Sequence, residues 1–192
     1  MIAPLYLFVF AGLFSPGPNV ILLTASGARF GFQRTLPHVF GVAVGVGVIA
    51  GLTGFGIGAL LSAIPTLKIV LQIIAGCWIL YMAWRLWVAQ ASNSPESSDR
   101  PFTFVEAVLF QWVNAKIWAV ALAATSYTEG AAATKAAFLL ATAFSGINLG
   151  VCLFWSFAGS LLTYLLSTPT AFRIFMRAMA ALLAFSAVLV FL

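Results

Sequence analysis

Residues 3–27 read APLYLFVFAGLFSPGPNVILLTASG, a charge-free run interrupted in its middle by Ser15-Pro16-Gly17-Pro18-Asn19. A helix needs about 20 apolar residues to cross a hydrocarbon core of roughly 30 Å, and this run supplies them. Proline lacks an N–H, clashes with the preceding turn and drives the residue before it away from the α conformation. Two prolines around a glycine therefore predict a membrane span broken at Pro16-Gly17-Pro18, with a second half-helix starting near Pro18. Broken backbone at membrane depth is tolerated only where it is buried in protein or lines a cavity. The free N–H groups at the start of the second half would attract an anion such as a carboxylate. The competing reading is a kink that only packs helices.

The rest of the chain has the same character. Its 192 residues are 63% hydrophobic and 7% charged, with a mean hydropathy of +1.10. Soluble domains carry roughly 25% charged residues, so a soluble enzyme is excluded, as is a disordered chain. The net charge of +5 comes from basic residues scattered between apolar runs, which read as topology signals and not as a nucleic-acid patch. Met1 to Ala28 lacks the basic start of a signal peptide and is too long for its apolar region; it reads as a retained helix. Cys77 and Cys152 lie in apolar runs and read as buried small side chains.

Six spans are predicted, at 3–27, 37–61, 68–90, 103–126, 134–158 and 172–192. Pro37 is read as the start of the second. The charge-free runs 35–67 and 136–172 are each read as a helix plus a connecting loop. The single hydrophilic run, 91–100, divides the chain into three-helix halves, 1–90 and 101–192, within one membrane domain. An odd number of spans per half inserts the second half upside down, giving an all-α polytopic fold of two inverted three-helix repeats, a frequent plan among secondary transporters. Arg29, Arg34, Arg85, Arg100, Arg173 and Arg177 fall on one side, against Lys68 and Lys135 on the other. The positive-inside rule then places both termini outside. Tyr81, Trp84 and Trp87 beside Arg85 suit an interfacial aromatic belt.

The fourth span holds Gln111-Trp112-Val113-Asn114-Ala115-Lys116, and Lys116 lies 97 positions after Asn19. It therefore falls at the matching place in the second half. A lysine at a helix centre costs about 2.5–3.5 kcal/mol on insertion scales, so it needs a partner. No acidic side chain lies near mid-span. The partners are carbonyls freed at Pro16–Pro18 or an anionic substrate; snorkelling to the interface is the alternative. Asn19 and Asn114 add amide donors and acceptors, so a zwitterion site is expected.

Other residues carry weaker signals. Asn148, between Gly146 and Gly150, lines the pathway or makes an interhelical hydrogen bond. Glu106, at the end of span four, is a gate or pairs with Arg100 or Arg34. His38 reads as structural. Gly41, Gly45, Gly47, Gly51, Gly54, Gly56 and Gly58 allow close helix approach, between halves or between protomers of a homodimer.

The run Ser-Pro-Gly-Pro-Asn at 15–19, the loop Gly-Ala-Arg-Phe-Gly-Phe-Gln-Arg at 27–34, Tyr-Met-Ala-Trp-Arg at 81–85 and Gln-Trp-Val-Asn-Ala-Lys at 111–116 resemble the LysE/RhtB family of amino-acid exporters over nearly the whole chain. The resemblance implies a bacterial inner-membrane exporter of amino acids or close derivatives. Pro16, Gly17, Pro18 and Asn19 match the family's first motif, and Asn114 and Lys116 its Asn-Pro-Lys motif. Ala115 replaces the usual proline, which implies a weaker second break. Many members carry an acidic residue after a glycine in the second span, where this chain has Gly45-Val46. Its absence favours neutral over basic substrates. Gln111 and the non-proline Ala115 look like the cysteine/O-acetylserine exporter branch; homoserine and threonine are substrates of the same kind.

No GxxxxGK[ST] phosphate loop appears in the sequence, so a gradient is the simpler energy source, with proton coupling as one form. No cofactor, metal or nucleic acid is expected. HExxH spacing is absent and His38 is the single histidine, which argues against a membrane enzyme. A passive channel and a structural membrane subunit are the rival functions, and a basic amino-acid exporter is the rival substrate class.

Overall fold

The computed structural model describes residues 2–58, 63–89 and 100–188. The chain opens with α1 (Ile2–Phe14) and α2 (Pro18–Phe30), which meet at 58° across the Ser15–Gly17 break. Helices α3 (Phe32–Gly54) and α4 (Pro65–Trp87) complete the first half. The second half starts with another bent pair, α5 (Phe104–Val113) and α6 (Ala115–Ala124), extended by a short 3-10 turn, Thr125–Thr128. Then come α7 (Ala133–Leu165) and α8 (Pro169–Val188). Among the described residues four helices are long and apolar enough to cross a bilayer, and the two bent pairs bring the number of spans to six.

The halves interlock. Helix α3 packs most extensively on α7, α2 and α1 pack on α7, α5 and α6 pack on α3, and α4 packs on α8. Exchanging the halves maps this pattern onto itself: span one on span five becomes span four on span two. That is the arrangement of an inverted repeat. Small residues make the crossings possible. A Cβ on Gly45 would lie 2.7 Å from Gln111 Cγ, and one on Gly47 would lie 2.9 Å from Ser145 Cβ. The glycine face of α3 is therefore occupied within the chain, by α5 and α7.

The core runs through Val9, Leu23, Val42, Val46, Leu140 and Phe144, while Leu7, Phe138, Leu165 and Ile174 face outward. Apolar side chains inside and out, with backbone bonds closed within helices, are what a bilayer demands.

Several sequence expectations need correction. The second break is sharper than the first, 69° against 58°, although Ala115 replaces proline. Asn114 makes the break itself, with φ −83° and ψ 88° and its N–H bonded only to Gln111 O at 3.1 Å. Asparagine is suited to leaving the helical conformation because its side chain competes for local backbone groups. Pro37 lies inside α3, not at its start. The run 136–172 is mostly one helix, since α7 has 33 residues, about 50 Å at 1.5 Å per residue; its connection to α8 is correspondingly short. Cys152 is buried, but Cys77 faces outward on α4. The predicted linker, apart from Arg100, and the last four residues of the predicted sixth span lie outside the described residues.

Candidate functional site

Both breaks meet at one place. Ile21 is the first residue of α2 to bond back, to Gly17 O at 3.0 Å, so the N–H groups of Asn19 and Val20 have no intrahelical acceptor. Across from them α6 begins at Ala115, with Ile117 N–H bonded to Asn114 O at 2.9 Å. Leu13, Gly17, Asn19, Val20, Asn114, Lys116, Ile117 and Asn148 line a single small cavity of about 10 Å³, room for about one water molecule. Two half-helix N-termini related by the repeat thus share one cavity.

Lys116 occupies its wall. The Nζ donates to Ser15 O at 2.5 Å and to Pro16 O at 3.2 Å. Those carbonyls are available because α1 ends at Phe14 and the N–H groups four residues on, of Asn19 and Val20, stand at the start of the reoriented α2. The ammonium sits near the start of α6, where the helix dipole opposes it, and is compensated by the carbonyl end of α1. Gly17 lets it come that close: a Cβ there would lie 2.8 Å from Lys116 Cδ and 3.0 Å from Nζ. The backbone of Gly17 is extended (φ 175°, ψ −179°), so the glycine is required by the contact and not by its dihedrals.

A buried amide cluster joins the two halves. Asn19 Nδ2 donates to Gln111 Oε1 at 2.9 Å, and Gln111 Nε2 donates back to Asn19 Oδ1 at 3.2 Å. Gln111 also donates to Ala107 O at 2.9 Å. Two buried amide atoms beside the cavity have no partner among the described residues: the acceptor Asn114 Oδ1 and the donor Asn148 Nδ2. Buried polar groups are nearly always paired, so an unpaired acceptor and an unpaired donor on one cavity are exceptions among the described residues. No acidic side chain lines it among the described residues.

Of the residues singled out in the sequence, Gly17, Asn19, Asn114, Lys116 and Asn148 line the cavity. Pro16 supplies a carbonyl and Pro18 opens α2. Glu106 and Arg34 lie away from it. Glu106 pairs with Arg100 through two bonds of 2.6 and 2.7 Å and closes a capping box with Thr103. Arg34 lies over the Phe30 ring at 5.9 Å. Gln111 was legible only as part of a motif. Its position three residues before Asn114, polar and mid-span, is the signal that places it in the cluster.

A membrane bundle of six spans, inverted halves and a polar cavity where two broken helices meet is the architecture of a translocator. The chain belongs to the LysE type translocator family, whose profile matches residues 10–192; this is a family of translocators and not of enzymes. Cysteine/O-acetylserine efflux proteins of Salmonella typhimurium (strain LT2) and Salmonella choleraesuis (strain SC-B67) are each 29% identical to it over 104 residues, covering 54% of this chain and 52% of theirs. The same protein of Salmonella typhi matches to the same extent. The chain thus spans about half the length of the curated relatives it matches. No solved structure matches it.

Proposed function

We propose that this chain is a secondary transporter that exports small neutral amino acids or their derivatives, of the cysteine/O-acetylserine, homoserine or threonine type, across the bacterial inner membrane. One observation carries the reading: Lys116, two half-helix N-termini and two unpaired amide atoms converge on one cavity. The cation and N-termini suit a carboxylate, and Asn114 Oδ1 suits an ammonium. A cationic side chain would find no counter-charge among the lining residues, which favours neutral substrates. The efflux relatives point to the same substrate class.

The cavity of about 10 Å³ is too small for an amino acid, so loading requires the broken segments to part. The substrate carboxylate then takes the place of the Ser15 and Pro16 carbonyls on Lys116. The ammonium keeps a partner in both states, and α1 is released from α6 only when substrate is present. Alternating access follows if that release lets one half rock against the other. The six arginines face the cytoplasm in this reading, both termini face outward, and a proton gradient drives export.

The test is efflux from proteoliposomes loaded with a panel of labelled amino acids, with and without an imposed pH gradient. Saturable, selective efflux accelerated by the gradient is expected. Unsaturable efflux would replace the transporter with a passive channel, and none for any panel member would favour a structural subunit.

A further inference from the structure

In the transport reading, on which this inference rests, Lys116 and the half-helix N-termini take a carboxylate and Asn114 Oδ1 takes an ammonium. An amino acid bound in that way has only its side chain left to place. The lining that remains consists of Leu13, Val20 and Ile117, which are apolar, and Asn148 from α7.

Asn148 is 2% exposed, and its Nδ2 is a donor without a partner among the described residues. Its neighbours one turn to either side on the same face of α7 are Phe144 and Cys152, both in the buried core. Phenylalanine offers no acceptor there, and cysteine only a weak one. The donor is also the part of the cavity that the repeat does not duplicate. The N-termini of α2 and α6 are the two halves' copies of one feature. The counterpart of α7 is α3, which turns Gly47 and Gly51 toward Ser145 and Ala141 of α7 and brings no matching amide.

We propose that Asn148 determines specificity at this site: its Nδ2–H donates to an acceptor on the substrate side chain, so that an oxygen-bearing side chain is preferred to a thiol and a thiol to a hydrocarbon. A hydroxyl or ester oxygen accepts well, a thiol sulfur weakly and a methyl group not at all. The duplicated N-termini meet the groups that every amino acid shares, and the unduplicated amide meets the group that differs. Basic side chains bring only donors, so they set donor against donor, which selects against them as well. Threonine and valine have nearly the same shape and differ in this contact. Valine leaves the donor unpaired in a closed site, whereas threonine pairs it. A site that hydrogen-bonds a substrate hydroxyl rejects the analogue lacking it more strongly than an apolar pocket sorts ligands by size.

The experiment is thermal unfolding of the full-length protein in detergent, titrated separately with threonine, valine, serine, cysteine and alanine. The dose dependence of the stabilisation gives an apparent Kd for each. Wild type should bind threonine about fivefold to a hundredfold more tightly than valine. Serine should bind more tightly than cysteine, and alanine most weakly of the three. Asn148→Leu should bring threonine and valine together by weakening threonine, whereas Lys116→Ala should weaken both. Equal affinity for threonine and valine in wild type, cysteine binding as tightly as serine, or a threonine preference that survives Asn148→Leu would overturn the role of Asn148 and leave the amino-acid site standing. Stabilisation by none of the five would overturn the amino-acid site, and the proposal with it. The wild-type comparisons need no variant, and Asn148→Ala takes the place of Asn148→Leu if the latter does not fold.

Discussion

Gly17→Ala should disable transport while leaving the fold intact. The added methyl would stand 2.8 Å from Lys116 Cδ and 3.0 Å from Nζ, well inside the roughly 3.5–4.0 Å of an ordinary contact. Lys116 is flexible and the backbone of Gly17 is extended, so the side chain gives way and the helices stay. Moving the ammonium by about 1 Å takes it from the 2.5 Å bond to Ser15 O and from the point where it meets a carboxylate. A hydrogen bond to a charged group contributes about 1.5–3 kcal/mol, so efflux should fall about tenfold to a hundredfold. Stability should change by less than about 1 kcal/mol, since alanine also reduces the freedom of the unfolded chain. Gly12→Ala is the control: its methyl would meet Val120 Cγ1 at 2.7 Å and not Lys116, so it should cost stability before transport. Efflux from proteoliposomes, normalised to folded protein, reads the effect. A Gly17→Ala protein that transports like wild type would refute the role given to the Lys116–Gly17 contact.

Three further outcomes are expected. Asn19→Ala and Gln111→Ala should be non-additive in a double-mutant cycle of unfolding in detergent, with a coupling of about 0.6–1.7 kcal/mol; strict additivity would deny the reciprocal amide pair. Asn148→Leu should reduce efflux yet hold or raise the unfolding temperature, because it removes a buried donor without a partner; loss of both together would make Asn148 structural. Gly45→Val should cost about 1–3 kcal/mol by overpacking against Gln111 and Val108, seen as a lost monodisperse peak in size-exclusion chromatography, whereas a well-folded variant would contradict the close approach of α3 to α5.

Much of the fold was legible because a bilayer permits few solutions. Charge-free runs, a hydrophilic divider and the pair Pro16 and Pro18 suffice to give six spans and the first break. The bounds were less legible. Pro37 reads as a boundary, yet α3 runs through it from Phe32, since a proline early in a helix removes little of its ladder. The length of α7 was hidden because apolar character continues whether or not the chain turns. The sharper second break shows the limit of motif reading: Asn114 leaves the helix through its own backbone, without proline. Lys116 could be recognised from its cost alone. Its partners, Ser15 O and Pro16 O, are backbone groups, which no residue type announces.

The most direct test of the central claim compares the best panel substrate with its methyl ester in wild type and Lys116→Ala. If Lys116 binds the carboxylate, wild type should export the acid about tenfold to a hundredfold faster than the ester. Lys116→Ala should erase that preference by losing the acid and not the ester. An unchanged preference in Lys116→Ala would contradict the assignment.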